Sequence, residues 1–151
     1  MADIKLTDIK KLRDLSKSGV MDARAALEEA KGDMKKAVKI LAKQAEKKAT
    51  KRVDREVSAG RIYAYTHQTG KLAALVKVAC ETEFVAKTDD FSNLCKEVAL
   101  QVASMDPENV EELLKQDYVR DGSMKISDLV KDVIRKTGEN VKIVEFVRME
   151  L

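Results

Sequence analysis

The sequence has one histidine and two cysteines among its 151 residues, and this scarcity excludes most side-chain chemistry. Cys80 and Cys95 make neither a disulfide framework nor a zinc-ligand spacing. His67 falls at a predicted hairpin tip, and Cys80 ends the return strand, nine residues beyond Lys71. At ~3.3 Å per residue the two are about 30 Å apart, so a Cys–His nucleophilic pair within one chain is excluded. Gly70-Lys71 is not a phosphate loop: the upstream glycine is missing, Leu72 stands where Ser or Thr is needed, and a strand follows instead of a helix. Asp89-Asp90 reads as a helix cap rather than a metal pair. The expectation is a chain with no active site, metal or cofactor of its own.

Long apolar runs are also absent. None approaches the roughly 20 residues that a membrane span needs. Asp3, Asp8 and Asp14 interrupt any signal- or transit-peptide pattern. The chain therefore reads as cytoplasmic and reducing. Hydrophobic content of 44% and charged content of 36% fit a helix-rich globular chain rather than a disordered one. The net charge of +3 is too small for bulk electrostatics to argue for nucleic acid.

Residues 1–45 read as a small three-helix module. Ile9, Leu12 and Leu15 give an apolar stripe behind a Thr7 cap, and Ser18-Gly19 breaks that helix. Asp22 would cap a second helix carrying Ala23, Ala26, Leu27 and Ala30. Gly32 ends it, and Asp33 caps a third with Met34, Ala37, Val38, Leu41 and Ala45. Val20 and Met21, apolar residues on the tight turn between the first two helices, either complete a core or dock onto a partner. The core reading is the commoner.

Residues 46–56 read as a basic helical linker. Lys43, Lys47, Lys48, Lys51, Arg52 and Arg55 crowd this stretch. A nucleic-acid patch is one reading. The other is a solvated helix in which Glu46, Asp54 and Glu56 supply i,i+4 partners. No aromatic interleaves the basic residues to stack on bases, which favours the linker and no direct nucleic-acid partner.

Residues 57–151 read as an α+β core. Arg61 to His67 and Leu72 to Ala79 form a hairpin about Gln68-Thr69-Gly70. Phe91, Leu94, Val98 and Val102 follow at helical spacing, with Asp89 or Asp90 as cap. Asp106-Pro107 opens a helix with Val110, Leu113 and Leu114. Ser127 caps a last helix, closed by Gly138, and Val141 to Val147 make a final strand beside the hairpin. The result is a three-stranded antiparallel sheet packed with helices. Between the hairpin and the long helix sits Phe84, a large aromatic flanked by Glu81, Glu83 and Lys87 in an exposed connection.

The segment Cys80-Glu81-Thr82-Glu83-Phe84-Val85-Ala86-Lys87 resembles the Cys-x-Thr-Asp-Phe-Val-Ala-Lys signature of the elongation factor Ts family of nucleotide-exchange factors. Glu83 replaces the usual aspartate. Gly138-Glu139-Asn140-Val141-Lys142-Ile143 is similar to that family's Gly-Glu-Asn-x-x-Ile/Val segment. Leu12 to Asp22 is similar to the turn of its ubiquitin-associated-like opening domain, with Lys17, Ser18 and Val20 departing from the pattern, and Gly32-Asp33 matches the next turn. The resemblance implies an exchange factor without catalysis of its own that binds GDP-bound elongation factor Tu. Thr82, Glu83, Phe84 and Val85 would insert beside the nucleotide and disturb magnesium and phosphate contacts, while Arg13, Val20 and Met21 would contact the GTPase through the N-terminal module.

Longer members continue into a second core half. Here the chain stops at Leu151 with one sheet, and short members pair two copies, so a homodimer is expected. Cys95 falls near that interface or, as its spacing favours, is a plain buried thiol. The competing reading is a binding module: a helical bundle on a basic linker that recognises helices or nascent chains, with the core as a dimerisation unit.

Overall fold

The computed structural model describes residues 4–151; Met1, Ala2 and Asp3, which open the 1–45 module, and the side chain of Ala49 lie outside the described residues. The chain divides into two compact units, Met1–Asp54 and Arg55–Leu151.

The first unit contains α1 (Leu6–Ser16), α2 (Val20–Glu29) and α3 (Met34–Arg52). They enclose Ile9, Leu12, Leu27 and Leu41 together with Ala23, Ala26, Ala30 and Ala37. The small alanine side chains let the helices approach closely. Leu15, expected on the α1 stripe, is 71% exposed. Each i,i+3 step falls about 60° short of a full turn, so two steps carry Leu15 roughly 120° away from Ile9.

Two expected caps are displaced in this unit. Lys5 precedes α1 and Gly19 precedes α2, neither with a side-chain cap. Thr7 and Asp22 lie inside the first turns, where the Asp22 carboxylate still complements the helix N-terminus. Asp33 caps α3 as read from sequence, its Oδ1 accepting from the Lys36 amide at 3.1 Å. That helix runs unbroken to Arg52, so the basic stretch through Arg52 continues it, and Val53 to Arg55 turn away.

The second unit is built on β1 (Ala59–Thr66), β2 (Leu72–Cys80) and β5 (Val141–Glu150), antiparallel in the order β1-β2-β5. Gly60 opposes Ala79 in the first pair. A Cβ there would sit 2.3 Å from the Val78 carbonyl oxygen, so the close approach of the strands requires glycine. A bulge where β5 passes Lys77 and Val78 leaves Val144 between the residues paired to them. The long helix α5 (Asp89–Met105) crosses one sheet face and buries Phe91, Leu94, Cys95, Val98, Ala99 and Val102. A short α6 (Val110–Lys115) and α7 (Ile126–Thr137) close the core through Leu113, Ile126, Val130 and Val133.

The helix starts here also differ from the sequence reading. Thr88, rather than Asp89 or Asp90, caps α5 by accepting from the Phe91 amide at 3.3 Å. Asn109, rather than Asp106-Pro107, caps α6 at 2.9 Å from the Glu112 amide. Asp106 instead ends α5 in the left-handed region. Lys125 precedes α7 and its amide donates to Asp128 at 2.9 Å, leaving Ser127 inside the helix. At α5 and α6 the residue whose side chain reaches the N3 amide wins over its acidic neighbour, whereas at α7 the N3 carboxylate of Asp128 reaches back to the amide of Lys125.

A two-stranded ribbon of β3 (Asp117–Tyr118) and β4 (Asp121–Lys125) occupies the region read as a Gly122 loop. Gln101, fully buried on α5, explains it. Its amide nitrogen donates to Gln116 and to the Asp117 carbonyl, and its oxygen accepts from the Val119 amide at 2.9 Å. Among the described residues, no helix is long and apolar enough to cross a membrane.

Candidate functional site: a braced aromatic turn

The connection from β2 to α5, expected as an exposed connection, is a single helical turn, α4 (Glu83–Ala86). Thr82 starts it, its hydroxyl oxygen accepting from the Val85 amide. Val85 and Ala86 are 4% and 3% exposed and anchor the turn in the core. Thr88 closes it by donating to the Val85 carbonyl at 2.7 Å before capping α5.

The four predicted insertion residues thus divide by direction. Val85 faces inward. Thr82 is exposed but engaged. Glu83 and Phe84 face solvent, and Phe84 is 81% exposed. The alternative, in which Phe84 folds back beside Phe91, does not occur: Phe91 alone fills that core position at 0% exposure.

What holds the turn comes from the far end of the unit. Gly138, left-handed at φ 75°, ends α7 and redirects the chain into Glu139. One Glu139 oxygen accepts the Thr82 hydroxyl at 2.7 Å and the other accepts the Thr82 amide at 3.0 Å. The interaction is reciprocal, because the Asn140 amide donates to Glu81 at 2.6 Å. Asn140, 3% exposed, donates its side-chain amide to the Arg55 carbonyl at 3.1 Å, and the Arg55 guanidinium lies 3.6 Å from Glu81. The two stretches singled out from sequence, 80–87 and 138–143, are therefore one clamp. Sequence reasoning gave Glu139 no role. Its only signal was that both stretches belong to one pattern.

Neither thiol is poised to react. Burial, then the Glu139 carboxylate, pushes the Cys80 thiol up, and its Sγ donates to the Thr82 carbonyl at 3.2 Å. Burial pushes Cys95 up to about 11. The Cys95 side chain is a plain core thiol at 0% exposure. His67 pairs with Tyr65, two residues earlier on the same arm of the hairpin, at 3.1 Å. Among the described residues, no group of three or more His, Cys, Asp or Glu could hold a metal ion.

In the first unit, Arg13 is exposed and pairs with the adjacent Asp14 at 3.3 Å. Val20 and Met21 are 52% and 74% exposed in the first turn of α2, so the core-capping alternative for them does not hold. With Leu15 they leave apolar side chains in solvent on both sides of the α1–α2 connection.

The second unit thus holds one aromatic outward on a clamped turn, and the first leaves Val20 and Met21 in solvent. Residues 81–151 match the family described as "Elongation factor TS". The chain is 35% identical to elongation factor Ts of Thermotoga maritima over 192 residues, covering 99% of this chain and 96% of that protein. It is 38% identical to that of Coprothermobacter proteolyticus (99% and 98% covered) and 38% identical to that of Nitratidesulfovibrio vulgaris (95% and 94%). The chain belongs to the elongation factor Ts family. Its 151 residues are fewer than the 192 aligned with the Thermotoga protein, so that relative carries insertions within the shared span.

Proposed function

We propose that this protein is a guanine-nucleotide exchange factor of translation elongation, binding GDP-bound elongation factor Tu in the cytoplasm and promoting GDP release. The observation that carries this reading is Phe84, 81% exposed on a turn that Thr82 and the buried Val85 anchor on either side. Burying such a side chain on a partner contributes about 1.5–3 kcal/mol. Because the turn is already ordered, little of that is lost to fixing it. Phe84 wedges between side chains of the GTPase and disturbs its magnesium and phosphate contacts. Glu83 presents a carboxylate at the same face. Thr82 and Val85 act as the two anchors that keep Phe84 outward. Arg13, Val20 and Met21 form the second contact, from the N-terminal module. Exchange is then a negative coupling: the factor weakens GDP binding, and GDP weakens factor binding by the same ratio.

The test is release of a fluorescent GDP analogue from elongation factor Tu in excess unlabelled GDP. The protein should accelerate release to a plateau. Phe84→Ala should reduce the acceleration at least tenfold with an unchanged circular dichroism spectrum, and unimpaired exchange would remove the wedge. Met21→Ser should raise the half-saturating concentration and leave the plateau.

We further propose that two copies pair through the sheet face opposite α5. By register, Ala64, Leu75 and Val147 form one row and Thr66, Ala73 and Met149 another. Leu75, Val147 and Met149 are 48%, 55% and 70% exposed, and Ile62 beside them is 66% exposed. The charged pair on this face, Lys77 and Glu145, is neutralised within one chain at 3.6 Å, so two such faces can meet without net repulsion. Sedimentation equilibrium should give a dimer that Leu75→Lys converts to a folded monomer. A monomeric parent chain would overturn the pairing.

A further inference from the structure

The charge of this chain is distributed unevenly. Residues 1–54 carry fifteen Lys and Arg against nine Asp and Glu, whereas residues 55–151 carry fourteen against seventeen. The excess is concentrated on α3, where eight basic side chains meet one acid, Glu46. Lys35, Lys39, Lys43, Lys47 and Lys51 recur at every fourth position. Each step rises ~6 Å and rotates about 40°, so the five ammonium groups span roughly 24 Å and fan over about 160° of the helix surface.

The solvated-linker reading offered Glu46, Asp54 and Glu56 as i,i+4 partners for the basic residues from Lys43 to Arg55. Among the described residues, none of the three acids and none of the five lysines forms an ion pair. The paired lysines of α3 are others: Lys36 with Asp33 at 3.8 Å and Lys48 with Asp22 at 3.0 Å. Like charges at i,i+4 oppose the helix that carries them. The helix is held instead by Ala37 and Leu41, buried in the first unit. That same burial removes the apolar face an interfacial membrane helix would need.

The geometry points to α3 as a binding surface for the sugar-phosphate backbone of double-helical RNA. An A-form duplex brings two phosphate rows close together across its deep, narrow groove. A helix lying along that groove meets phosphates on both flanks, which a fan of lysines engages and a narrow stripe does not. No base-reading aromatic interleaves the lysines, so recognition is of backbone and shape rather than sequence.

The experiment is fluorescence anisotropy of the full chain with a labelled 20-base-pair RNA hairpin between 50 and 200 mM salt, with three comparisons. They are Lys39→Gln/Lys43→Gln/Lys47→Gln, a control Lys71→Gln/Lys96→Gln/Lys131→Gln that removes equal charge from the second unit, and a DNA hairpin of the same sequence. Five phosphate contacts give a log-affinity slope of about −3.5 to −4.5 against log salt, a loss on the order of 10²-fold over that range. The α3 variant should bind at least tenfold more weakly at the lowest salt and reduce the slope by about 2, while the control stays within twofold. No binding at the lowest salt, equal loss in both variants, or undiminished binding by the α3 variant would overturn the proposal. Equal affinity for the DNA hairpin, or for phosphatidylglycerol vesicles at matched charge, would overturn the assignment to RNA. Nucleotide exchange is not part of the readout, so the result is independent of the exchange reading.

Discussion

Replacing Glu139 by alanine removes both oxygens that hold Thr82, the acceptor of its hydroxyl at 2.7 Å and the acceptor of its amide at 3.0 Å. Hydrogen bonds to a shielded charged group contribute about 1.5–3 kcal/mol. Thr82 is exposed, and water replaces a lost partner there, so the combined loss is about 1–2 kcal/mol. The Phe84 side chain is untouched, so on the proposed reading the variant keeps its wedge and loses only the fraction of time it is correctly held. A binder that populates its competent form less often loses apparent affinity by that fraction. The half-saturating concentration in the GDP-release assay should therefore rise by roughly five- to thirtyfold, the factors to which about 1 and 2 kcal/mol convert. The plateau rate should stay within twofold. Glu139→Gln keeps an acceptor for the hydroxyl but presents an NH₂ to the Thr82 amide, so it should fall between parent and alanine. An alanine variant with unchanged half-saturation would refute the bracing argument. A lowered plateau at unchanged half-saturation would mean that Glu139 acts on the nucleotide site itself. Glu139 is a positioning residue on this account, and the split between affinity and plateau is what separates it from a contact residue.

Gly60→Ala should destabilise the second unit by about 1–3 kcal/mol, because the new methyl meets backbone, 2.3 Å from the Val78 oxygen and 2.8 Å from the Ala79 Cα, and the strands must part. A thermal midpoint within a degree or two of the parent would refute this. Burial and the Glu97 carboxylate, which accepts the Tyr118 hydroxyl at 2.6 Å, push Tyr118 up to about 12. Between pH ~10, where an unfolded tyrosine ionises, and about 12 the folded state holds the extra proton. Stability should therefore fall as pH rises through that window. An ultraviolet titration should show one of the three tyrosines ionising late, and Glu97→Gln should bring it down.

The hairpin and the long helix were legible because each carries its own signature: loose alternation in Arg61 to His67, a short apolar run in Leu72 to Ala79, and three- and four-residue spacing from Phe91 to Val102. Gly138 was legible because a left-handed helix end strongly favours glycine. Helix starts were misread where an acid and a hydroxyl or amide compete within a few residues, as at Thr88 and Asp89. Only the geometry of the N3 amide decides between them. The β3–β4 ribbon was invisible because its organiser, Gln101, is a buried polar residue on another element. In the candidate site, Phe84 stood out by its charged neighbours. The inward Val85 and the brace from Glu139 did not, since direction within one helical turn and contact between distant segments leave no local mark. Leu15, Val20 and Met21 show the converse: apolar residues at near-helical spacing that face water.

The clamp between Thr82 and Glu139 joins positions 57 residues apart. Synthesis proceeds from the N-terminus, and segments order as they emerge. A nascent chain therefore displays Phe84 well before Glu139 exists to hold its turn. Correct presentation of the aromatic becomes possible only when α7 and the start of β5 have arrived. By this account, competence to engage a partner is acquired late in synthesis, and a chain truncated before Glu139 would carry the wedge without the means to aim it.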